Sequence, residues 1–159
     1  MQYVKFNLDE YRYVLSIVDI VEIIPYVKLK PLAKLPVYVA GQCNYRGISI
    51  PVIDLCSLFL KRPCERKLST RILIVDTVDN NPANKLVGLM VEKATEIIKV
   101  VDDDFMDASK YGEELPYAGP ILADPAGFIY RLNTSDIFLR LDCKELFPDT
   151  KKSAWLFLI

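Results

Sequence analysis

The sequence predicts an all-β protein made of two small five-stranded β-barrels with short helices. Three observations lead to this prediction: short runs in which apolar and polar residues alternate, turn residues between these runs, and the same order of elements in both parts of the chain. Closing short strands into barrels removes exposed strand edges, which favours two barrels over one large sheet. We therefore expect one domain over residues 1–159, with halves at 1–64 and 65–138 and a C-terminal tail, 139–159, that packs back onto the domain.

The first 25 residues predict two strands followed by a short helix. Residues 3–8 alternate between the two faces of a half-buried strand, and residues 11–18 form a second strand after a turn. Residues 17–24 place isoleucine and valine at the spacing of one helical face, and Pro25 ends this predicted helix.

A hairpin and a capped helix are expected next. Strand-like runs at residues 42–45 and 48–53 flank Arg46 and Gly47, and glycine readily adopts the positive φ of a tight turn. Asp54 has the position of an N-cap, so we expect a short helix directly after it.

The later part of the chain repeats this arrangement. Thirteen positions separate Gly41 from Asp54, and fourteen separate Gly119 from Asn133. An apolar pair follows each capping residue at the same offset, which indicates an internal duplication. Alternation along the strands then predicts two separate cores. The first is expected to contain Val4, Phe6, Ile50, Val52 and Leu58, and the second Ile72, Ile74, Leu89, Val91 and Ile129. The alternative is that a terminal strand crosses to complete the opposite barrel.

The composition argues against several functional classes. The 20 basic and 21 acidic residues are scattered, so no basic surface for nucleic acid is expected. The sequence has no histidine, which removes the commonest general base and any phosphoacceptor histidine. Its glycines occur singly, so there is no phosphate-binding loop. We expect neither catalysis nor a cofactor.

Metal sites and membrane segments are also not expected. The four cysteines form no Cys-x-x-Cys pair and are predicted to be buried free thiols. Three consecutive aspartates, residues 102–104, point in different directions and predict a solvated turn rather than a calcium loop. No apolar window is long enough to span a membrane and the N-terminus lacks a signal-peptide core, so we expect a cytoplasmic protein without membrane insertion.

One stretch of the sequence resembles a known signature. Residues 41–55, GQCNYRGISIPVIDL, are similar to the hallmark of CheW-like domains: a glycine, an Asn-Leu/Tyr-Arg-Gly turn, and a strand that reads Pro-Val-Ile-Asp-Leu. Residues 20–23 resemble the Val-x-Glu-Ile segment of that family, and residues 87–92 resemble its Gly-Leu-x-Val-Asp strand. The likeness extends over about residues 3–138.

The resemblance implies two SH3-like barrels and a non-catalytic scaffold. Such a scaffold couples the cytoplasmic tip of a methyl-accepting chemoreceptor to the regulatory domain of a CheA-type histidine kinase, and each partner uses a different face. By this resemblance, the receptor-binding candidates are Ile20, Glu22, Arg46 and Gly47. The kinase-binding candidates, chosen as aliphatic residues of a second face, are Val87, Leu89, Ile97 and Ile98.

Other interpretations of the sequence stay open. One is a kinase-binding regulatory module of a chemosensory-like motility or surface-sensing pathway, which would not bridge receptors. Another is a small enzyme, which would need paired carboxylates that no spacing in this sequence provides. Arg46 also has two interpretations: a turn arginine that is either solvated or paired with a nearby carboxylate, or a receptor anchor whose planar guanidinium makes contacts that lysine cannot.

Overall fold

Short strands dominate the structure, a computed structural model that describes residues 1–31, 34–77, 85–107 and 118–141. Most of the expected C-terminal tail, together with Cys143, lies outside these ranges. The strands are β1 (Gln2–Leu8), β2 (Tyr11–Ser16), β3 (Ile20–Pro25), β4 (Val39–Tyr45), β5 (Ile48–Asp54), β6 (Arg71–Thr77), β7 (Lys85–Lys99), β8 (Ala118–Asp124) and β9 (Gly127–Leu132). The helices are α1 (Leu55–Leu60) and α2 (Thr134–Arg140), with 3₁₀ turns at Ile17–Asp19 and Asp102–Asp104.

The long strand β7 belongs to both sheets of the protein. Its first part pairs with β5 and β6, and β4 and β3 extend that sheet on either side. Its second part pairs with β1, and β2, β9 and β8 continue the other sheet. The change falls between Val91 and Glu92, next to Lys93, whose φ is positive at 52°. The described residues thus form a first sheet, β7-β1-β2-β9-β8, and a second sheet, β3-β6-β7-β5-β4.

Each sheet takes strands from both parts of the chain. β1 and β2 pair with β7 and β9, so they complete the sheet to which β8 and β9 belong. Ile50 and Val52 therefore lie in the second sheet with Ile72, whereas Val4 and Ile129 lie in the first. The expected division into one core from residues 4–58 and another from residues 72–129 is wrong. The pairing of β2 with β9 joins distant parts of the chain, and alternation within a strand does not show which strand it pairs with.

The helix expected for residues 17–24 is also wrong. Only Ile17–Asp19 is helical, as a single 3₁₀ turn that begins where the Ser16 hydroxyl accepts a hydrogen bond from the Val18 N–H at 3.4 Å. The chain then continues as β3, which pairs antiparallel with β6. Its β-branched isoleucines and valine pack well on a pleated surface, and the neighbouring strand decides between two apolar patterns that look alike in sequence.

The predicted hairpin and helix caps are confirmed. β4 and β5 meet at Arg46 and Gly47, whose φ values of 51° and 84° are both positive, as a type I′ turn requires. An Asp54 oxygen accepts from the N–H of Ser57 at 3.1 Å and caps α1, and Asn133 caps α2 in the same way. Among the described helices, none has the length and apolar character that crossing a membrane requires.

One continuous apolar core joins the two sheets. Tyr13 of β2 stacks on Phe6 of β1 with the ring centroids 5.7 Å apart, and it meets Phe59 of α1 at 5.6 Å. Gly88 of β7 packs between β5 and β6: a Cβ at this position would lie 2.7 Å from a methyl carbon of Ile72. Close approach of the strands therefore requires glycine there.

An ion pair ties the β8–β9 turn to β2. The Nη1 and Nη2 atoms of Arg12 donate to the two carboxylate oxygens of Asp124 at 2.6 and 2.7 Å. Asp124 also accepts a hydrogen bond from the backbone N–H of Ala126 at 2.9 Å. The hydrogen bonds from Arg12 contribute most to lowering the pKa of Asp124 to about 2.

We expect Asp124→Asn to lower the free energy of unfolding by about 1 kcal/mol at neutral pH, because a neutral amide holds Arg12 less strongly than a carboxylate does. The unfolded carboxyl has an ordinary pKa of about 3.9, so the stabilisation is complete above that pH and is lost as the pH falls through about 2. Urea unfolding of both proteins at neutral pH and near pH 2 measures this difference. An equal difference at both pH values would contradict it.

The control for this experiment is an ion pair on the protein surface. Lys67 and Glu65 form a contact of 2.7 Å, and both side chains are more than half exposed. Lys67→Gln removes one charge, as Asp124→Asn does, but in a well-solvated pair. It should change the stability much less at either pH.

Candidate functional site

Arg46 lies at the tip of the β4–β5 hairpin and is largely in solvent. Its side chain is 74% exposed. One guanidinium nitrogen, Nη2, donates to Oε1 of Glu22 at 2.8 Å, and the guanidinium carbon lies 5.3 Å from the centroid of the Tyr45 ring. These two contacts hold an exposed arginine near one geometry. The pairing with Glu22 is what the structural interpretation of Arg46 expects, and it also leaves most of the side chain open to a partner.

Glu22 joins β3 to the hairpin through one carboxylate oxygen. The Tyr45 hydroxyl donates to Oε1 of Glu22 at 2.7 Å, and the same atom accepts from Arg46. We call Glu22, Tyr45 and Arg46 the Glu22 cluster. β3 and β4 are the two ends of the second sheet, so the cluster connects elements that the strand ladder leaves apart. A backbone bridge between Lys30 and Gln42, 2.8 Å in both directions, also closes the sheet on the β4 side.

The carboxylate of Glu22 sets the protonation behaviour of Tyr45. The hydrogen bond to Glu22 raises the pKa of Tyr45, and this effect outweighs the nearby positive charge of Arg46. Tyr45 therefore stays protonated, and remains a donor to Glu22, up to a higher pH than an ordinary tyrosine does.

The structure brings two of the four receptor-binding candidates into direct contact. Glu22 and Arg46 pair, although they are 24 residues apart in sequence. Gly47 supplies the turn, with its N–H donating to Oδ1 of Asn44 at 2.9 Å. Ile20 is half-buried and packs against the main core.

Sequence reasoning missed two residues beside Arg46. The ring of Tyr45 packs against the guanidinium of Arg46. Ile48, which follows the turn, is 55% exposed. An aromatic before a type I′ turn and an aliphatic after it are signals present in the sequence, but alternation alone assigns both to the strand. Ile48 and Arg46 are therefore both open to solvent at this end of the hairpin.

The kinase-binding candidates divide into buried and exposed residues. Val87 and Leu89 are completely buried, because the first part of β7 has a neighbouring strand on each edge and apolar residues on both faces. These two side chains are therefore not a docking surface. Ile98 is half-buried and packs with Tyr3, whereas Ile97 is 57% exposed. Of the four candidates, Ile97 presents most apolar surface to solvent.

Two groups of possible metal ligands differ in burial: one is exposed and the other is buried. The aspartates of Asp102–Asp104 are exposed, and Asp102 accepts a hydrogen bond from the Tyr3 hydroxyl at 2.8 Å. Within the part of the chain that the structure describes, one group of three donors lies close together: Asp54, Cys56 and Cys64, all buried. Three donors are one fewer than the four of a tetrahedral structural zinc site.

The chain is similar in sequence to a known family and to several of its members. The model of a family described as the CheW-like domain matches residues 2–148. The probable chemotaxis protein CheW of Rhizobium etli is 25% identical over 122 residues, 76% of each chain. The chemotaxis protein CheW of Rhizobium meliloti is 22% identical over 137 residues, 85% of each chain.

A solved structure shares the fold. The crystal structure of the scaffolding protein TtCheW from Thermoanaerobacter tengcongensis is similar with a TM-score of 0.75 at 24% identity, and the likeness covers 92% of each chain. The expected all-β fold, two SH3-like five-stranded barrels with short helices, is confirmed.

We expect Glu22→Gln to lower the pKa of Tyr45 towards its ordinary value of about 10, because the amide oxygen accepts a weaker hydrogen bond and carries no charge. In the unmodified protein the hydrogen bond persists at neutral pH and is lost as the pH rises through the raised pKa of Tyr45. NMR titration of ring-labelled tyrosine measures both values, and Tyr45→Phe identifies the signal. An unchanged pKa in Glu22→Gln would show that Glu22 does not hold the hydroxyl.

Proposed function

The chain belongs to the CheW-like domain family, and from this membership we propose that it is a non-catalytic adaptor that couples chemoreceptors to a CheA-type histidine kinase in chemotaxis. The observation that carries the proposal is the family match over residues 2–148. The two relatives described above, which match 76% and 85% of this chain, are both named as chemotaxis proteins.

The chemistry of the residues agrees with a scaffold rather than an enzyme. The sequence has no histidine to carry a phosphoryl group. The acidic residue of the Pro-Val-Ile-Asp-Leu strand, Asp54, is buried, and its oxygens accept hydrogen bonds from the N–H groups of Ser57 and Cys64. The carboxylate of the signature strand therefore has a structural role: it caps α1 and fixes the connection from α1 to β6.

The receptor surface in this proposal is centred on Arg46. Support comes from its exposure, its orientation by Glu22 and Tyr45, and the exposed aliphatic Ile48 beside it. A guanidinium that is already oriented loses less side-chain entropy on binding than a free one. A receptor carboxylate or backbone carbonyl opposite Arg46 would gain a directed hydrogen bond at low entropic cost.

The kinase surface in this proposal is centred on Ile97. Support comes from its exposure near the end of β7, in the part of that strand that pairs with β1 in the first sheet. Arg46 belongs to a hairpin of the second sheet. Surfaces on different sheets leave room for both partners at once, which a coupling protein needs.

We expect Arg46→Ala to weaken binding to a receptor cytoplasmic fragment by about 1–3 kcal/mol, the range for an anchoring interface arginine, and to leave kinase binding unchanged. Arg46→Lys should recover little of the loss, because an ammonium lacks the planar fork of donors. Isothermal titration against the receptor fragment and, separately, the kinase regulatory domain measures both affinities.

Arg66→Ala is the matched control for this experiment. Arg66 stacks on Tyr26 at 5.2 Å, much as Arg46 stacks on Tyr45, so its removal takes away an equivalent arginine and an equivalent ring contact. Equal losses for both partners in Arg46→Ala, or a lower melting temperature, would mean that Arg46 is structural. Kinase binding by a protein that fails to bind any receptor fragment would favour the regulatory module without receptor bridging.

We expect Ile97→Lys to weaken kinase binding at least tenfold without a change in melting temperature, because a charge placed in an apolar interface is desolvated while the free protein leaves it in water. Val37→Lys is the control, since Val37 is 85% exposed and lies in neither surface. Normal kinase binding by Ile97→Lys would place the kinase surface elsewhere.

A further inference from the structure

Two buried thiols lie against each other at the end of α1. Cys56 is fully buried on the helix, and Cys64, in the connection to β6, is 5% exposed. Their Sγ atoms are 2.9 Å apart. One carboxylate holds both backbone segments, since Asp54 accepts hydrogen bonds from the N–H of Ser57 at 3.1 Å and from the N–H of Cys64 at 2.9 Å. The backbone thus keeps the two sulfurs facing each other.

The separation of the sulfurs favours a covalent bond over a shared metal ion. A disulfide bond is about 2.05 Å long, so the sulfurs need to approach by less than about 1 Å. Two thiolates on one tetrahedral zinc, with Zn–S bonds of about 2.3 Å, are about 3.8 Å apart, so metal binding would push these sulfurs apart and would still lack a fourth protein donor. We propose that Cys56 and Cys64 form a reversible intramolecular disulfide.

The oxidant in this proposal is a small disulfide such as oxidised glutathione. Cys64, the thiol with residual exposure, loses its proton and attacks one oxidant sulfur, which releases one thiol and leaves a mixed disulfide. Cys56 then loses its proton, attacks Cys64 Sγ and releases the second thiol. The two protein thiols give up two electrons and two protons, and the disulfide bond of the oxidant takes up both.

The local environment makes this exchange slow. The hydrogen bond to Cys56, burial and the neighbouring Asp54 carboxylate raise the pKa of the Cys64 thiol. Little thiolate is therefore present at neutral pH, and the rate of exchange should rise with pH. A protected pair of this kind responds to sustained oxidising conditions rather than to brief ones.

The disulfide would act on the join between the two sheets. Arg62, between the two cysteines in sequence, donates to both carboxylate oxygens of Glu92 on β7 at 3.1 Å each. One of these two nitrogens, Nη2, also lies 3.8 Å from a carboxylate oxygen of Asp9, in the β1–β2 turn of the first sheet. Fixing Cys64 to α1 restrains the segment that carries Arg62, so the oxidised protein should have a more rigid connection between its sheets.

The experiment equilibrates the full chain in glutathione buffers of increasing oxidising strength, stops the exchange with acid, unfolds the protein in urea with excess iodoacetamide to block every free thiol, and digests with trypsin. Cleavage gives residues 47–61, with Cys56, and residues 62–66, with Cys64, because trypsin does not cut before Pro63. We expect these two peptides to appear joined, two mass units below the sum of their reduced masses, and to separate after treatment with dithiothreitol. The melting temperature of the oxidised protein should rise by roughly 4–8 °C.

Cysteine variants and refolding from urea serve as controls for this experiment. Cys43→Ser combined with Cys143→Ser should leave the joined peptides and the rise in melting temperature intact, whereas Cys56→Ser should abolish both. The proposal is overturned if both peptides stay fully alkylated after native incubation and also after refolding from urea in the same buffers. Joining of either peptide to Cys43 or Cys143 overturns it, as does one zinc ion retained per chain and released by Cys64→Ser.

Discussion

The pairing of β7 with both sheets is the constraint on which the rest of the structure depends. One continuous backbone carries the ladder of β6 and β5 up to Val91 and the ladder of β1 from Glu92 onwards. The two barrels are therefore joined at adjacent residues of one strand, and the apolar core that they share opposes their rotation against each other. For an adaptor, this means that the surfaces proposed for the two partners stay at a fixed mutual orientation.

The sequence predicts the local features of the fold and not the pairing of strands that are distant in the chain. Turn and cap chemistry is local, so the positive φ of the hairpin turn and the N-caps Asp54 and Asn133 follow from residue type and position. The apolar pattern of residues 17–24 fits a helical face and a strand equally, and only pairing with β6 decides. The crossing of β1 and β2 into the sheet of β9 is non-local, and alternation contains no information on it.

The candidate site divides in the same way. Arg46 and Gly47 are recognisable from the signature, because a tight turn exposes its tip. The contact between Glu22 and Tyr45 closes a sheet between residues far apart in sequence, so the orientation of Arg46 appears only in three dimensions. The sequence predicts Val87 and Leu89 on a docking surface, but both are buried. The sequence of a β-strand does not show whether only one of its faces is covered or both are.

The positive φ of Arg46 also bears on how this position tolerates change. A side chain at φ 51° strains the backbone by about 1–2 kcal/mol relative to glycine, and asparagine or glycine is the usual residue there in a type I′ turn. In a library selected for thermal stability alone, this strain is weighed against the contacts that Arg46 makes with Glu22 and Tyr45. The receptor contact proposed for Arg46 would add a second reason, independent of stability, to keep arginine at a strained position.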